Sequence, residues 1–122
     1  MQYLALIHTD EEAGAALSES ELGAVMEQYT AFSREGAKAG VIQGGSELAP
    51  STTATTVRIR DNETLVTDGP FAELKEALGG YFLLECASLD DAVDWAARIP
   101  GADHGAVEVR PCYVDETEEA VA

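Results

Sequence analysis

The sequence predicts an α+β domain in which two helices cover one face of an antiparallel sheet. Two segments, 19–39 and 88–99, carry apolar residues at the three- and four-residue spacing of amphipathic helices. Short apolar or alternating segments lie before, between and after them, as expected for strands. A chain of 122 residues is long enough for one hydrophobic core, so we expect a single domain.

The first part of the chain is expected to hold a strand and the longer helix. Residues 2–8 form the predicted strand, and a polar connection follows over residues 9–17. Ser18 and Glu21 have the spacing of a capping box, in which each side chain accepts a hydrogen bond from the other residue's backbone. The apolar face of the helix then consists of Leu22, Val25, Met26, Tyr29 and Phe32. Gly40 is typical of the residue that follows a helix end.

The rest of the chain is expected to form strands around the second helix. These strands are predicted at 41–48, 55–60, 64–67, 81–87 and 106–110. The segments 55–60 and 64–67 flank a turn-forming triplet, so we expect them to pair as a hairpin. One helical turn is expected near 74–78, and the second helix begins after Ser88 and stops at Pro100.

This order of elements matches a ferredoxin-like sandwich with an extra β-hairpin. Two helices can cover only one face of such a sheet. The other face would expose large side chains, among them Tyr81 and Leu83, as a larger apolar patch than most monomers carry. We therefore expect a homodimer whose two sheets pack face to face as a dimeric α/β barrel. Residues 1–114 would form the domain, and residues 115–122 a flexible acidic tail.

The charge and the cysteines restrict the partners and the compartment. A net charge of −16, from 23 acidic and 7 basic residues, argues against binding to nucleic acid or to anionic lipid. No segment reaches the roughly 20 apolar residues of a membrane span. Cys86 and Cys112 lie in strand-like segments without a CxxC spacing, which is typical of buried thiols rather than a disulfide or a metal site. We expect a cytoplasmic protein.

The run 67–76 has an unusually specified backbone for a surface loop. Gly69 tolerates φ angles that other residues avoid, Pro70 fixes its own φ, and Phe71 offers a ring for burial. Such a loop could hold three charged side chains in place, namely Asp68, Glu73 and Lys75. Asp68 would then act as a catalytic base or a ligand acceptor, and the other two would bind ligand. The alternative is a structural turn in which Asp68 bonds nearby backbone groups and Phe71 fills the core.

A second set of polar residues is expected on the sheet face that points away from the helices. Strand alternation places Tyr81, Glu108 and Arg110 there. Arg110 could form a bidentate pair with Glu108, with Glu85 or with the carboxylate of a ligand. The alternative is a salt bridge at the dimer contact.

His8 is a candidate for proton transfer, because its ordinary pKa of about 6.5 suits acid–base catalysis. The alternative is an ordinary surface histidine at the end of a strand. The sequence contains no HxH spacing, and it has no glycine-rich phosphate motif. We therefore expect no metal and no cofactor.

The chain as a whole resembles the DGPF branch of the YCII-related proteins, from Tyr3 to about Pro111. The segments that carry the resemblance are 67–73 with Lys75 and Glu76, 78–81, 95–100 and 107–111. The resemblance implies a bacterial protein with a dimeric α+β barrel, in a family that is mostly uncharacterised.

The resemblance also implies an enzymatic activity, attributed in the wider family to a histidine and an aspartate that meet in a cleft. Asp10 loosely matches that aspartate, but helix 19–39 lacks the histidine. The leading hypothesis is a homodimer with a small-molecule cleft. One alternative is a non-catalytic module that acts on an extracytoplasmic-function sigma factor, since this branch is often encoded beside such factors. Another is an oxygenase, by analogy of fold alone.

Overall fold

The computed structural model describes residues Met1–Val114, and the predicted acidic tail, 115–122, lies outside the described residues. Its helices and strands, in chain order, are β1 (Gln2–Asp10), α1 (Glu11–Ala15), α2 (Glu19–Lys38), β2 (Ile42–Glu47), a 3₁₀ turn (Ser51–Thr53), β3 (Thr55–Arg60), β4 (Glu63–Asp68), β5 (Glu76–Glu85), α3 (Leu89–Ala96), α4 (Gly101–His104) and β6 (Ala106–Pro111). None of the described helices is both long enough and apolar enough to cross a membrane.

Four strands form one antiparallel sheet in the order β2-β5-β1-β6, so β5 and β1 are its central strands. The predicted α+β architecture with an antiparallel sheet is therefore confirmed. The predicted hairpin is also present: β3 and β4 pair with each other as a separate two-stranded sheet. Asp61 and Asn62 make its turn, both with positive φ angles, as the tightest hairpin turns require.

The core lies between the helices and one face of the sheet. Alternate β1 residues, Tyr3, Ala5 and Ile7, are buried, and they share one cluster with residues of α2 and α3. Phe32 of α2 packs edge-on against Phe82 of β5, with ring centroids 5.0 Å apart. The predicted orientation of β5, with its even-numbered side chains toward the helices, is confirmed by this packing.

The two cysteines are free thiols, as predicted. Cys86 is buried in the core cluster and Cys112 is half-buried. Burial raises the pKa of the Cys86 thiol, so this group behaves as a small apolar side chain rather than a nucleophile.

The capping box predicted for the long helix is confirmed. The backbone N–H of Glu21 donates to Ser18 Oγ at 3.1 Å, and the N–H of Ser18 donates to Glu21 Oε1 at 3.0 Å. These hydrogen bonds lower the pKa of Glu21. Gly40 follows the helix with a φ of 72°, a conformation that favours glycine.

Three local predictions are wrong. Residues 9–17 are not a connection, because β1 continues to Asp10 and the Asp10 carboxylate then caps helix α1. The loop expected before the last strand contains α4. Residues 74–78 form no helical turn, because 76–78 pair with the end of β1 and begin β5. In the first and third cases a local cap or tertiary strand pairing prevails over the loop or helical preference of a short segment.

Neighbouring glycines in β2 provide a matched test of the sheet packing. A Cβ at Gly45 would lie 2.6 Å from the carbonyl oxygen of Tyr81 and 2.8 Å from Phe82 Cδ1, whereas a Cβ at Gly44 would meet nothing within 4 Å. We expect Gly45→Ala to lower the free energy of unfolding by about 1–3 kcal/mol because the backbone must move. Gly44→Ala should change it by less than about 1 kcal/mol. Urea denaturation measures both values, and equal losses would contradict the packing described here.

Glu11 ties α1 to the 3₁₀ turn and gives stability a defined pH dependence. Its carboxylate accepts a 2.7 Å hydrogen bond from the Ser51 N–H and another from the Ser51 hydroxyl, and these bonds lower the pKa of Glu11. A lowered folded-state pKa stabilises the protein above the ordinary glutamate value of about 4.3, and this stability is lost as the pH falls through the folded-state pKa.

We therefore expect Glu11→Gln to be less stable than the unmodified chain at neutral pH, and the difference to vanish in acid. Thermal unfolding at several pH values between neutral and about pH 3, below the ordinary glutamate pKa, measures this difference. Glu12→Gln, next to Glu11 in the same short helix, is the matched control. A difference that is independent of pH would show that the Ser51 bonds do not depend on the ionised carboxylate.

Candidate functional site

A cleft of about 480 Å³ lies between α2 and the sheet. It exists because only the second half of α2 packs closely on the sheet. Phe32 and Gly36 in that half are buried, whereas Leu22 and Met26 in the first half remain 50% and 49% exposed. The apolar side chains of the first half therefore form one wall of a gap instead of part of the core.

The opposite wall of the cleft is open because two glycines stand where side chains would fill it. Gly79 and Gly80 line the cleft, and the pairing of β1 with β5 shifts register beside them, between Ile7 and His8. A Cβ at Gly80 would lie 2.8 Å from the carbonyl oxygen of Ser46. The glycine pair that closes the run noted in the sequence thus has a packing reason, and it leaves space for a ligand.

Tyr29 supplies a hydroxyl to this mostly apolar cleft. Burial raises the pKa of Tyr29, a hydrogen bond from the Gly101 backbone partly opposes this effect, and the charge of Glu47 adds to it. The phenol is therefore neutral at physiological pH. It can donate its proton in a hydrogen bond to an acceptor on a bound molecule.

Other polar residues also line the cleft, among them Thr30 and Ser46. The Thr30 hydroxyl donates to the Met26 carbonyl at 2.9 Å, and the Ser46 hydroxyl donates to the Glu47 carbonyl at 3.2 Å. These hydroxyls are already bonded to the chain. Thr9 also lines the cleft, as does Glu47, which is the sole charged side chain on its walls within residues 1–114.

The structure brings three of the predicted site residues together, away from the cleft. His8 Nε2 lies 3.1 Å from Glu108 Oε1, and Arg110 Nε lies 4.0 Å from Glu108 Oε2. All three belong to the sheet face opposite the helices, as predicted for Glu108 and Arg110. Glu85 instead contacts the amino group of Met1 at 2.8 Å. The side chain of Tyr81 is half-buried, and the residue borders the cleft.

The other predicted site residues lie on the hairpin and the segment that follows it. Asp68 is the last residue of β4, and Glu73 and Lys75 precede β5; all three are exposed. Within the described part of the chain, no hydrogen bond or ion pair links them to His8 or Arg110. Asp68 belongs to the separate β3-β4 sheet, and Glu73 and Lys75 lie between that sheet and β5.

The loop itself is partly as predicted. Gly69 has a φ of 98°, which is the conformation for which glycine was expected. Phe71, however, is 76% exposed, so the alternative in which its ring fills the core is wrong for a single chain. The residue lies in the segment between β4 and β5.

Sequence reasoning missed the residues that form the cleft. Leu22, Met26 and Tyr29 were interpreted as an ordinary buried helix face, and Glu47 was given no role. The length of the amphipathic face of α2 and the glycine pair Gly79-Gly80 are visible in the sequence, but neither feature by itself predicts a gap.

Comparison with known proteins adds three similarities. The sequence model of the YCII-related domain matches residues 1–114. An uncharacterized protein of Rhizobium meliloti (strain 1021) is 42% identical over 113 residues, which is 91% of each chain. The structure is similar to that of 5-chloro-2-hydroxyhydroquinone dehydrochlorinase (TftG) from Burkholderia phenoliruptrix in complex with 2,5-dihydroxybenzoquinone, with a TM-score of 0.51, 14% identity, and coverage of 98% of this chain and 100% of the other.

Proposed function

The chain belongs to the YCII-related family, and we propose that it binds a small, mostly apolar, ring-containing molecule in the cleft beneath α2. The cleft itself carries this proposal. Its volume of about 480 Å³ lies within the range of about 300–1,000 Å³ for ligand sites, which are typically apolar with a few polar groups. Leu22, Val25 and Phe82 supply the apolar contacts, and Tyr29 supplies the hydrogen-bond donor.

The similarity to TftG supports a ligand of this size. That protein was captured with 2,5-dihydroxybenzoquinone, a compound with a single ring, and it is named as a dehydrochlorinase. At 14% identity the comparison concerns the fold, and it supports an enzymatic activity for this chain as an extension of the proposal. Tyr29, which lines the cleft, would then orient the substrate through a hydrogen bond from its neutral phenol. His8 and Asp68 do not line the cleft, and we assign them no catalytic role.

We further propose that two chains associate through the sheet face opposite the helices, as a dimeric α/β barrel. Leu4, Leu6 and Leu83 lie on that face and remain only half-buried in a single chain. A second sheet would cover them and supply the remaining hydrophobic burial. Glu108 lies between His8 and Arg110 on the same face, and this mutual compensation of charge lowers the cost of covering them.

The apolar wall of the cleft can be tested with a neutral fluorescent probe, N-phenyl-1-naphthylamine. We expect Met26→Asp to weaken probe binding by about tenfold or more, because an unpaired charge beside an apolar ligand costs at least about 1.4 kcal/mol. Ala24→Asp adds the same charge to an exposed position of the same helix that does not line the cleft, and it should bind the probe normally. Fluorescence titration measures both affinities.

Equal probe affinity in the two variants, or no probe binding to the unmodified chain, would contradict the cleft as a binding site. The latter result would favour the alternative of a non-catalytic module that acts on a sigma factor through its acidic surface. Circular dichroism of both variants shows whether α2 remains folded.

The dimer can be tested by placing a charge at the centre of the open sheet face. Leu6 lies opposite Tyr81 on one side and Glu108 on the other. We expect Leu6→Glu to give a monomer, because the new carboxylate would be buried without a partner and beside Glu108. Leu89→Glu changes an exposed leucine at the start of α3 and should remain a dimer. Light scattering after size-exclusion chromatography gives the masses, and a monomeric unmodified chain would refute the proposal.

A further inference from the structure

We infer that the cleft selects ligands in which a positively charged amino group is joined to an aromatic ring by a short alkyl chain, and that Glu47 determines this specificity. The inference rests on the proposed function, because it concerns the same cleft. It adds the charge of the ligand, which neither the family nor the structural neighbour specifies.

The first observation is the charge of the cleft walls. Of the fourteen residues that line the cleft within the described chain, Glu47 alone is charged, and none is a lysine, arginine or histidine. A bound anion would find no cation there to compensate for the water that it loses. The net charge of −16 for the whole chain adds to the repulsion of anions and to the attraction of cations.

The second observation is the position of Glu47. It is the last residue of β2, and its partner in the register is Gly80 of β5. The glycine leaves the space beside Glu47 free of a side chain. Glu47 lines the cleft together with Tyr29, and its side chain is exposed. Among the residues that the structure describes, no basic group forms an ion pair with Glu47.

The third observation is the aromatic lining of the same cleft. Tyr29 and Phe82 both line the cleft, and Phe82 is held by its edge-on contact with Phe32. Aromatic faces attract ammonium groups, and a carboxylate beside them provides a charged hydrogen-bond acceptor. An amine linked to a ring could place its ring between the apolar walls and its ammonium group at Glu47.

Three competitors of nearly equal size separate charge from shape: 2-phenylethylamine, 2-phenylethanol and phenylacetate. Each compound is added to the protein with bound N-phenyl-1-naphthylamine, and displacement of the probe is measured near neutral pH, where the amine is cationic and the acid is anionic. We expect the amine to compete at a concentration about tenfold or more below that of phenylacetate, with the alcohol in between. The probe affinity of each variant is measured first, so that displacement is compared at equal probe occupancy.

In Glu47→Gln the amine should displace the probe only at the concentration that the alcohol requires, because the amide keeps the size of the side chain and removes its charge. Glu27→Gln removes the same charge from α2 at a residue that does not line the cleft, and it should retain the preference for the amine. This control separates the local carboxylate from the overall negative charge.

Equal competition by amine and carboxylate, or a preference that survives Glu47→Gln, would overturn the inference while leaving the cleft intact as a probe-binding site. A preference that Glu27→Gln abolishes as completely as Glu47→Gln would also overturn it, in favour of a general charge effect. Failure of the probe to bind the unmodified chain would refute both the proposed function and this inference.

Discussion

The close contact between the second half of α2 and the sheet determines the shape of the whole helical layer. Phe32 packs against Phe82 and, with ring centroids 6.3 Å apart, against Trp95 of α3. Four residues later Gly36 lets the helix approach Ile42, since a Cβ there would overlap with the Ile42 side chain. A helix of 20 residues is about 30 Å long, so an anchor near one end leaves the other end free of the sheet. The cleft is the direct result.

The two faces of the sheet therefore differ in chemistry. The helix side combines a core around Leu84 and Ile99 with an apolar cleft. Among the described residues that line this cleft, Glu47 alone is charged. The opposite side carries half-buried leucines and the connected charges of His8, Glu108 and Arg110. Because successive residues of a strand point to opposite faces, β1 and β5 contribute to both layers at once. A substitution in either strand can thus be assigned to one layer from its position, except beside the register shift between Ile7 and His8.

Much of the fold could be predicted from the sequence, because its signals were local and repeated. The capping box at Ser18, the helical spacing of α2 and the alternation in β3 each depend on nearby residues alone. The end of β1 and the start of β5 could not be predicted, since residues 76–78 become a strand by pairing with residues distant in the chain. The run from Asp68 to Lys75 is conspicuous in the sequence, yet its charged side chains are exposed at the end of the hairpin and in the segment that follows it. The cleft depends on how far α2 stands from the sheet, a distance that no local pattern encodes.

Within residues 1–114 of one chain, α2 lines the cleft on one side and β1, β2 and β5 line it on the other. Pairing of two such chains through their opposite sheet faces would leave the two cavities on the outer sides of the assembly. Neither cavity then borrows a group from its neighbour, and occupation of one changes no wall of the other. Two such cavities would fill independently, with a hyperbolic saturation curve and a Hill coefficient of about one.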